Sequence, residues 1–306
     1  MKIACIGSGV FSIALVKQMA RKKENQIYIW THDAYFKEEA VKHKKLSWPN
    51  EKVKQDSNIA VTTSLEEALK DAQVVFLLVA SAFLKDTVLE IKKYYPLSAT
   101  LFIGSKGLIN EKPYYISKYC KNVLKTKRIT FFAGPNFAQD ILHNAVTTIT
   151  VGTKDKKDYL LFKSLFGLNI KVEWMKETQA LELTSVLKNI YAIGSGMVYA
   201  KSPYESTLFA YLTESYKEYL QILYYQLDYP SDQLYAGTIG DFFLTGTNTN
   251  SRNFCYGRLL VQTKKEAQLF LEQNTVEGYT ALKNVVKLLK KKEKFPLLYE
   301  IYKHIN

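Results

Sequence analysis

The chain has 306 residues, 47% hydrophobic and 23% charged, the balance of an ordinary globular protein with one large domain or two smaller ones. Disordered, collagen-like and disulfide-scaffold classes are excluded. Lysine and arginine total 42 against 29 acidic residues, a net charge of +13. Yet the arginines are only Arg21, Arg128, Arg252 and Arg258, and nucleic-acid readers rely on arginine forks for phosphates and base edges. The charge therefore reads as lysines spread over a solvated surface, with some pull on anions, and no nucleic-acid partner is expected. Cys5, Cys120 and Cys255 are widely spaced, which fits neither a disulfide framework nor a zinc site. His32, His43, His143 and His304 lack ligand spacing, so no metal is expected. The chain opens on a strand-like run without a targeting signal, and its apolar runs fall far short of a membrane span. A cytoplasmic protein with no integral membrane segment is the expectation.

In chain order, a strand at Lys2–Ile6 precedes a helix over Val10–Lys22, then a strand at Gln26–Trp30 and a helix near Tyr35–Lys45. A short strand at Ile59–Val61 leads to a helix over Ser64–Leu69, where Ser64 and Glu67 have the spacing of a capping box. Val74–Val79 is an unbroken apolar run, as expected of a buried parallel strand. Leu101–Ile103, Thr130–Ala133 and Thr147–Val151 continue the series with helices between them. Such alternation predicts an open, mostly parallel sheet covered on both faces. From Thr178 the strand signal vanishes; long helices are expected to about Ala200 and from Tyr204 to Leu227, then shorter ones. The expected domains are residues 1–177, an α/β dinucleotide-binding domain, and 178–306, an all-α substrate and catalytic domain. Gly237–Asn253 is the most polar and turn-rich segment of the second half and reads as a functional loop.

The first strand ends in Gly7-Ser8-Gly9-Val10-Phe11-Ser12, the dinucleotide-binding fingerprint with Ser12 at the third glycine. The first glycine permits the tight turn and the second lets a pyrophosphate approach the backbone. The third lets helix and strand pack closely, which a serine still allows. At the end of the second strand stand His32 and Asp33, with Lys37 nearby. An acid there suits a ribose 2′-hydroxyl and cations suit a 2′-phosphate, so NAD(H) and NADP(H) both stay open. Lys106, flanked by Gly104 and Gly107, and Gly134-Pro135-Asn136 both follow strands, on the edge where ligands bind in open α/β sheets. Asn136 could equally cap a helix.

Lys188 sits in the apolar helix Leu181–Ile193 among Leu181, Thr184, Ser185, Ala192 and Ser195, with the nearest charge, Glu182, on another face. An ammonium in such surroundings is costly unless paired or able to lose its proton. That marks Lys188 as a catalytic or ligand-contacting residue against the alternative of a snorkelling lysine. Asp241 and Thr245 precede Ser251-Arg252-Asn253, where a planar guanidinium beside an amide and a hydroxyl suits a phosphate clamp; a helix cap at Ser251 with a solvated arginine is the plainer alternative.

The series G-S-G-V-F-S, S-K-G-L, G-P-N-F-A, E-L-T-S-V-L-K-N, G-D-F-F-L-T, S-R-N and V-E-G resembles, in order and spacing along essentially the whole chain, the bacterial-type NAD(P)-dependent glycerol-3-phosphate dehydrogenases. The resemblance implies a Rossmann-like N-terminal domain and reversible reduction of dihydroxyacetone phosphate, feeding phospholipid synthesis. It places Gly7, Gly9, Val10, Phe11, Ser12, His32, Lys106, Ala138, Arg252, Thr275 and Glu277 on the cofactor. Lys106, Gly134, Asn136, Lys188, Asp241, Ser251, Arg252 and Asn253 fall on the substrate, with Lys188 as proton acceptor and Lys106 beside it in catalysis. The expected partners are a small phosphorylated substrate and a second copy of the chain. Ser12 and Asn136 depart from the family pattern of a glycine and a hydroxyl residue. Other readings are another two-domain hydroxy-acid or hydroxyacyl dehydrogenase, and a non-catalytic NAD-sensing module.

Overall fold

The computed structural model describes residues 1–49, 51–112, 114–230, 234–289 and 294–306. They divide into two compact units. The first contains residues 1–105, 117–132 and 136–178; the second contains 106–116, 133–135 and 179–306. Two short segments of the N-terminal half thus belong to the second unit, Lys106 among them.

The first unit is built on β1 (Lys2–Ile6), α1 (Val10–Met19), β2 (Gln26–Trp30), α2 (Ala34–His43), β3 (Lys45–Trp48), β4 (Glu51–Lys54), β5 (Ile59–Thr62), α3 (Leu65–Leu69), β6 (Val74–Leu77) and α4 (Ser81–Ile91). It continues through β7 (Thr100–Ile103), α5 (Ile116–Leu124), β8 (Ile129–Ala133), α6 (Ala138–Leu142), β9 (Thr147–Gly152), α7 (Lys156–Ser164) and β10 (Ile170–Met175). Among the described residues, one sheet has the order β10-β9-β8-β7-β6-β1-β2-β5. Ile3 registers on Ile27 of β2 and on Val74 of β6, both parallel. The Rossmann-like, mostly parallel sheet is present as expected. From β1 the chain winds first toward β2 and β5, then returns to β6 on the other side. The carboxyl ends of β1, β2 and β6 therefore meet at a topological switch point, where such sheets open a crevice for ligands.

The residues explain the sheet. Val74 to Leu77 are all buried, and Phe76, Phe102, Phe132 and Phe162 interlock beneath it with ring centroids 5.0 to 6.0 Å apart. Several expectations need correction. The second helix stops at His43 because Lys44 is left-handed (φ 53°), and β3 and β4 then form an antiparallel hairpin that pairs Leu46 with Val53. The first helix ends at Met19 rather than Lys22. β10 was not expected; its Ile170 and Val172 point inward while Lys171 is exposed. The capping box at Ser64 is half made. Ser64 Oγ accepts from the Glu67 amide at 3.2 Å, but the Glu67 carboxylate accepts from the Thr62 hydroxyl at 2.5 Å instead.

The second unit is organised by α8 (Thr178–Lys201), whose side chains from Ala180 to Met197 are buried. Around it lie α9 (Glu205–Leu227), α10 (Asp241–Thr247), α11 (Arg252–Gln262), α12 (Lys264–Gln273), α13 (Glu277–Leu288) and α14 (Pro296–Ile305). The segment read as a loop, Gly237–Asn253, is largely helical: a π turn over Ala236–Gly240 runs straight into α10, and Asn253 already belongs to α11. Thr238, Asp241, Thr245 and Asn253 are buried rather than solvated, which is why composition misled. α8 and α11 cross on glycines. A Cβ on Gly196 would sit 2.0 Å from the Phe254 carbonyl oxygen, and one on Gly257 would sit 1.9 Å from that of Ile193. Backbone meets backbone there, and neither helix can yield without carrying its side chains along. Gly257→Ala should therefore cost about 1–3 kcal/mol through overpacking, read as a fall in the denaturation midpoint. A variant as stable as the parent would show that the crossing is slack.

Candidate active site

In the first unit, a cavity of about 470 Å³ opens at the switch point, lined by Gly7 to Gly9 after β1, Trp30 to His32 at the end of β2, Leu78 to Ala80 after β6 and residues of α4. Gly7 needs its glycine. At φ +117° its Cβ would lie 2.7 Å from the Leu78 carbonyl oxygen. Gly9, at the N-cap of α1, has nothing within 4 Å of a Cβ position, so the backbone there is bare toward the cavity. Backbone N–H groups at a helix start with no side chain in front of them form an anion site, and α1 has no side-chain cap competing for them. The fold thus fits a pyrophosphate.

The other residues expected on the cofactor scatter. His32 lines the cavity, its ring 6.2 Å from that of Phe83. Val10 is 40% exposed at the start of α1. Phe11 packs on the core and stacks on Phe132, and Ala138 packs on the core as well. Ser12 is buried with its hydroxyl unpartnered, so it fills the third-glycine position by size alone. Asp33, considered for the ribose, caps α2 by accepting from the Phe36 amide at 3.1 Å. Asn136 caps no helix; its amide donates to the Thr148 carbonyl at 3.1 Å in the first unit.

In the second unit, the structure draws Lys106, Lys188, Asp241, Arg252, Asn253 and Glu277 into one electrostatic and hydrogen-bonded set. Lys188 is buried in α8 and donates to Asp241 Oδ1 at 2.5 Å. The small polar neighbours seen in sequence do not solvate it. Thr184, Ser185 and Ser195 turn their hydroxyls back onto helix carbonyls. Burial lowers the Lys188 pKa to about 8, helped by the Lys106 charge and opposed by Asp241. Lys106 moves the other way. Burial pulls it down, but the Asp241 and Glu277 carboxylates outweigh that and raise it above its ordinary value. One lysine keeps its proton while its neighbour sheds one near pH 8. Asp241 Oδ2 is buried without a hydrogen-bond partner, an acceptor open to a ligand hydroxyl.

A second layer fixes this set. Asn189, next to Lys188, donates to Glu277 at 2.8 Å and accepts from Asn253 at 3.1 Å, while Asn253 accepts from the Gly278 amide at 2.9 Å. Asn253, expected on a substrate phosphate, therefore already holds α8, α11 and α13 in register. Asn189 was not singled out. Its place one residue after Lys188, followed by an apolar run, gave no periodic signal. Gly134 is buried and precedes Pro135, which lies against Gly240. Ser251 occupies the N-cap of α11 without a capping bond, and Arg252 is an exposed first residue of that helix, not part of a loop. Thr275 is exposed just ahead of α13. Among the described residues, no group of His, Cys, Asp or Glu could hold a metal ion, and no helix is long and apolar enough to cross a membrane.

A Rossmann-like unit with a glycine turn at its switch point, joined in one chain to a helical unit carrying a titratable buried lysine, defines the class of two-domain NAD(P)-dependent oxidoreductases. Within that class, the chain belongs to the NAD-dependent glycerol-3-phosphate dehydrogenase family, whose N-terminal model matches residues 2–159 and whose C-terminal model matches residues 177–306. A relative from Rickettsia rickettsii (strain Sheila Smith), "Glycerol-3-phosphate dehydrogenase [NAD(P)+]", is 28% identical over 94% of this chain and 86% of its own length. The fold of glycerol-3-phosphate dehydrogenase from Coxiella burnetii superposes with a TM-score of 0.89 at 22% identity, over 99% of this chain and 94% of that one. The Plasmodium falciparum enzyme gives 0.89 at 21% identity, over 99% and 91%.

The bare turn makes a test that leaves folding untouched. Gly9→Val places its side chain in open space, so the variant should fold yet lose NAD(H) affinity by at least tenfold, whereas Ser12→Gly should bind as the parent does. Titration of intrinsic fluorescence with NADH checks both. Unchanged binding in folded Gly9→Val would move the dinucleotide off this turn.

Proposed function

We propose that the chain interconverts dihydroxyacetone phosphate and sn-glycerol 3-phosphate with NAD(H) or NADP(H), in the cytoplasm and as a homodimer, supplying glycerol phosphate for phospholipid synthesis. The observation that carries this is the buried Lys188–Asp241 pair with Lys106 beside it, in a chain whose two halves both match the family. Gly7, Gly9 and the cavity around them would hold the nicotinamide cofactor, which supplies or takes the hydride when bound.

Reduction of a ketone leaves charge on its oxygen, and that oxygen needs a proton. Lys188, with a pKa near 8, suits both directions: protonated it donates to the oxygen, neutral it accepts from the alcohol. Lys106 keeps its ammonium and stabilises the developing alkoxide without surrendering a proton. The free Oδ2 of Asp241 accepts from a substrate hydroxyl and so orients the carbon skeleton. For the phosphate, the uncapped start of α11, the Ser251 hydroxyl and the Arg252 guanidinium combine helix-end N–H groups with a planar fork. Asn253 supports that end from beneath through its bond to Gly278. Oxidation of NADH and of NADPH on adding dihydroxyacetone phosphate, measured beside unphosphorylated ketones, tests the assignment. Nucleotide binding with no turnover on any of them would favour a sensing module instead.

The lysine pair sets the pH dependence. Glycerol 3-phosphate oxidation should rise with pH through about 8 as Lys188 loses its proton, and dihydroxyacetone phosphate reduction should fall through the same range. Asp241→Asn removes the charge that favours the ammonium, so the transition should move to lower pH. Lys188→Ala should cut turnover by about 10²–10⁴-fold with NADH binding intact. A flat profile between pH 7 and 9, or near-parental turnover in Lys188→Ala, would remove Lys188 from proton transfer.

Arg252→Lys keeps the charge but loses the two parallel hydrogen bonds of a guanidinium. One charged hydrogen bond contributes roughly 1.5–3 kcal/mol, so kcat/KM for the phosphorylated substrate should fall by about 10- to 150-fold. Unphosphorylated dihydroxyacetone should be spared. Equal losses on the two substrates would take Arg252 out of the phosphate site.

A further inference from the structure

The cavity at the switch point carries an electrostatic signature that the glycine turn does not explain. Two of its lining residues are Asp86 and Glu90, four apart on α4 and so on one face of that helix. Both are exposed, so their charges stand at the cavity wall rather than in the protein interior. Among the described residues, no lysine or arginine lines it, and the basic group there is the imidazole of His32. The groups at the end of β2 are already engaged. Asp33 caps α2, and the Thr31 hydroxyl bonds that of Ser8 at 2.8 Å and accepts from the Asp33 amide at 3.1 Å. Lys37, which sequence position alone made a candidate for a phosphate, is absent from the lining. All these residues lie in the first unit.

The two nicotinamide cofactors differ here by a single feature, a ribose 2′-phosphate bearing about −1.5 to −2 charges at neutral pH. A site that accepts it supplies an arginine or several lysines. This one supplies two carboxylates. We propose that the cavity selects NAD(H) over NADP(H), with Asp86 and Glu90 as the specificity-determining residues that exclude a phosphorylated ribose. The inference rests on the dinucleotide-binding role given above and goes beyond it by choosing between the cofactors. A net charge of +13 would by itself favour the more anionic NADP(H), so discrimination has to be local. Because the cavity opens to solvent and both carboxylates are exposed, salt must weaken the effect.

The test measures binding, not turnover. NADH and NADPH are titrated separately into the full-length protein by nucleotide fluorescence, with calorimetry of NAD⁺ and NADP⁺ alongside. NADH should bind more tightly by about 5- to 30-fold at low ionic strength, the range that two carboxylates against a phosphate dianion give through screened solvent. The ratio should shrink at high salt. Asp86→Asn with Glu90→Gln keeps the shapes and removes the charges, and should cut the ratio at least threefold, chiefly through tighter NADPH binding. Asp86→Lys should cut it further. Both positions are on the exposed face of a helix, so the fold tolerates the changes. Equal affinities, or tighter NADPH, would overturn the preference and leave the dinucleotide site standing. An unchanged ratio in the neutral double variant would overturn the role of Asp86 and Glu90. Failure of the parent to bind either nucleotide would instead overturn the dinucleotide reading, and the selectivity with it.

Discussion

An ammonium cannot be buried in a helix bundle unless something answers its charge, and much of the second unit serves that requirement. Lys188 lies in the middle of a helix whose other side chains are packed against neighbours. Its partner, Asp241, has to approach from another element at hydrogen-bonding distance. The π turn over Ala236–Gly240 does this by widening the backbone immediately before Asp241, a distortion often found where a helix must aim one functional side chain. The pair is still incompletely compensated. Burial outweighs Asp241, and Lys188 titrates near 8. A fully compensating partner would have made it an inert structural ion pair. Partial compensation leaves a lysine that exchanges its proton at physiological pH.

Precision around that pair comes from backbone contact rather than from long side chains. The crossing of α8 and α11 on Gly196 and Gly257 brings the two helices to the closest approach that their backbones allow. Asn189 and Asn253 can then bond directly across the gap, and Glu277 and Gly278 extend the network to the start of α13. The two asparagine side chains in the network from Glu277 to Gly278 are short and buried, so little rotamer freedom remains to blur the geometry. Glu277 also connects this layer to the lysines, since its charge helps Lys106 stay protonated. Structural and electrostatic roles coincide in one carboxylate.

What could be read from the sequence follows the range of each interaction. The parallel sheet was legible because its signal is local: Val74 to Leu77 is apolar on both faces, and the glycine turn after β1 is a contiguous string. Lys188 stood out for a local reason too, as a charge in an apolar helical window. The β3–β4 hairpin was missed because Lys44 ends α2 in a left-handed conformation that nothing in a lysine announces, and β10 because its alternation is short and edge-placed. Asn253 and Asp33 show the other limit. Both residues are where ligand chemistry would place them, yet the structure gives Asp33 to a helix cap and Asn253 to interhelical bonding. The partners of Asn253 lie 25 and 64 residues away, beyond any local pattern, whereas the partner of Asp33 is only three residues on, and there a local cap competes with a ligand for the same oxygen.

Overall charge is limited in the same way. A surplus of thirteen positive charges describes the long-range field that draws anions toward the surface, but at the two sites the local sets differ in sign and purpose. In the second unit, Asp241 and Glu277 favour the ammonium of both Lys106 and Lys188, and burial outweighs them at Lys188 but not at Lys106. In the first unit, the cavity wall is acidic despite the basic chain around it. Field strength falls steeply with distance and with screening, so a ligand that has entered the cavity responds to Asp86 and Glu90 more than to dozens of surface lysines. Composition can recruit an anion; only placement can decide which anion is kept.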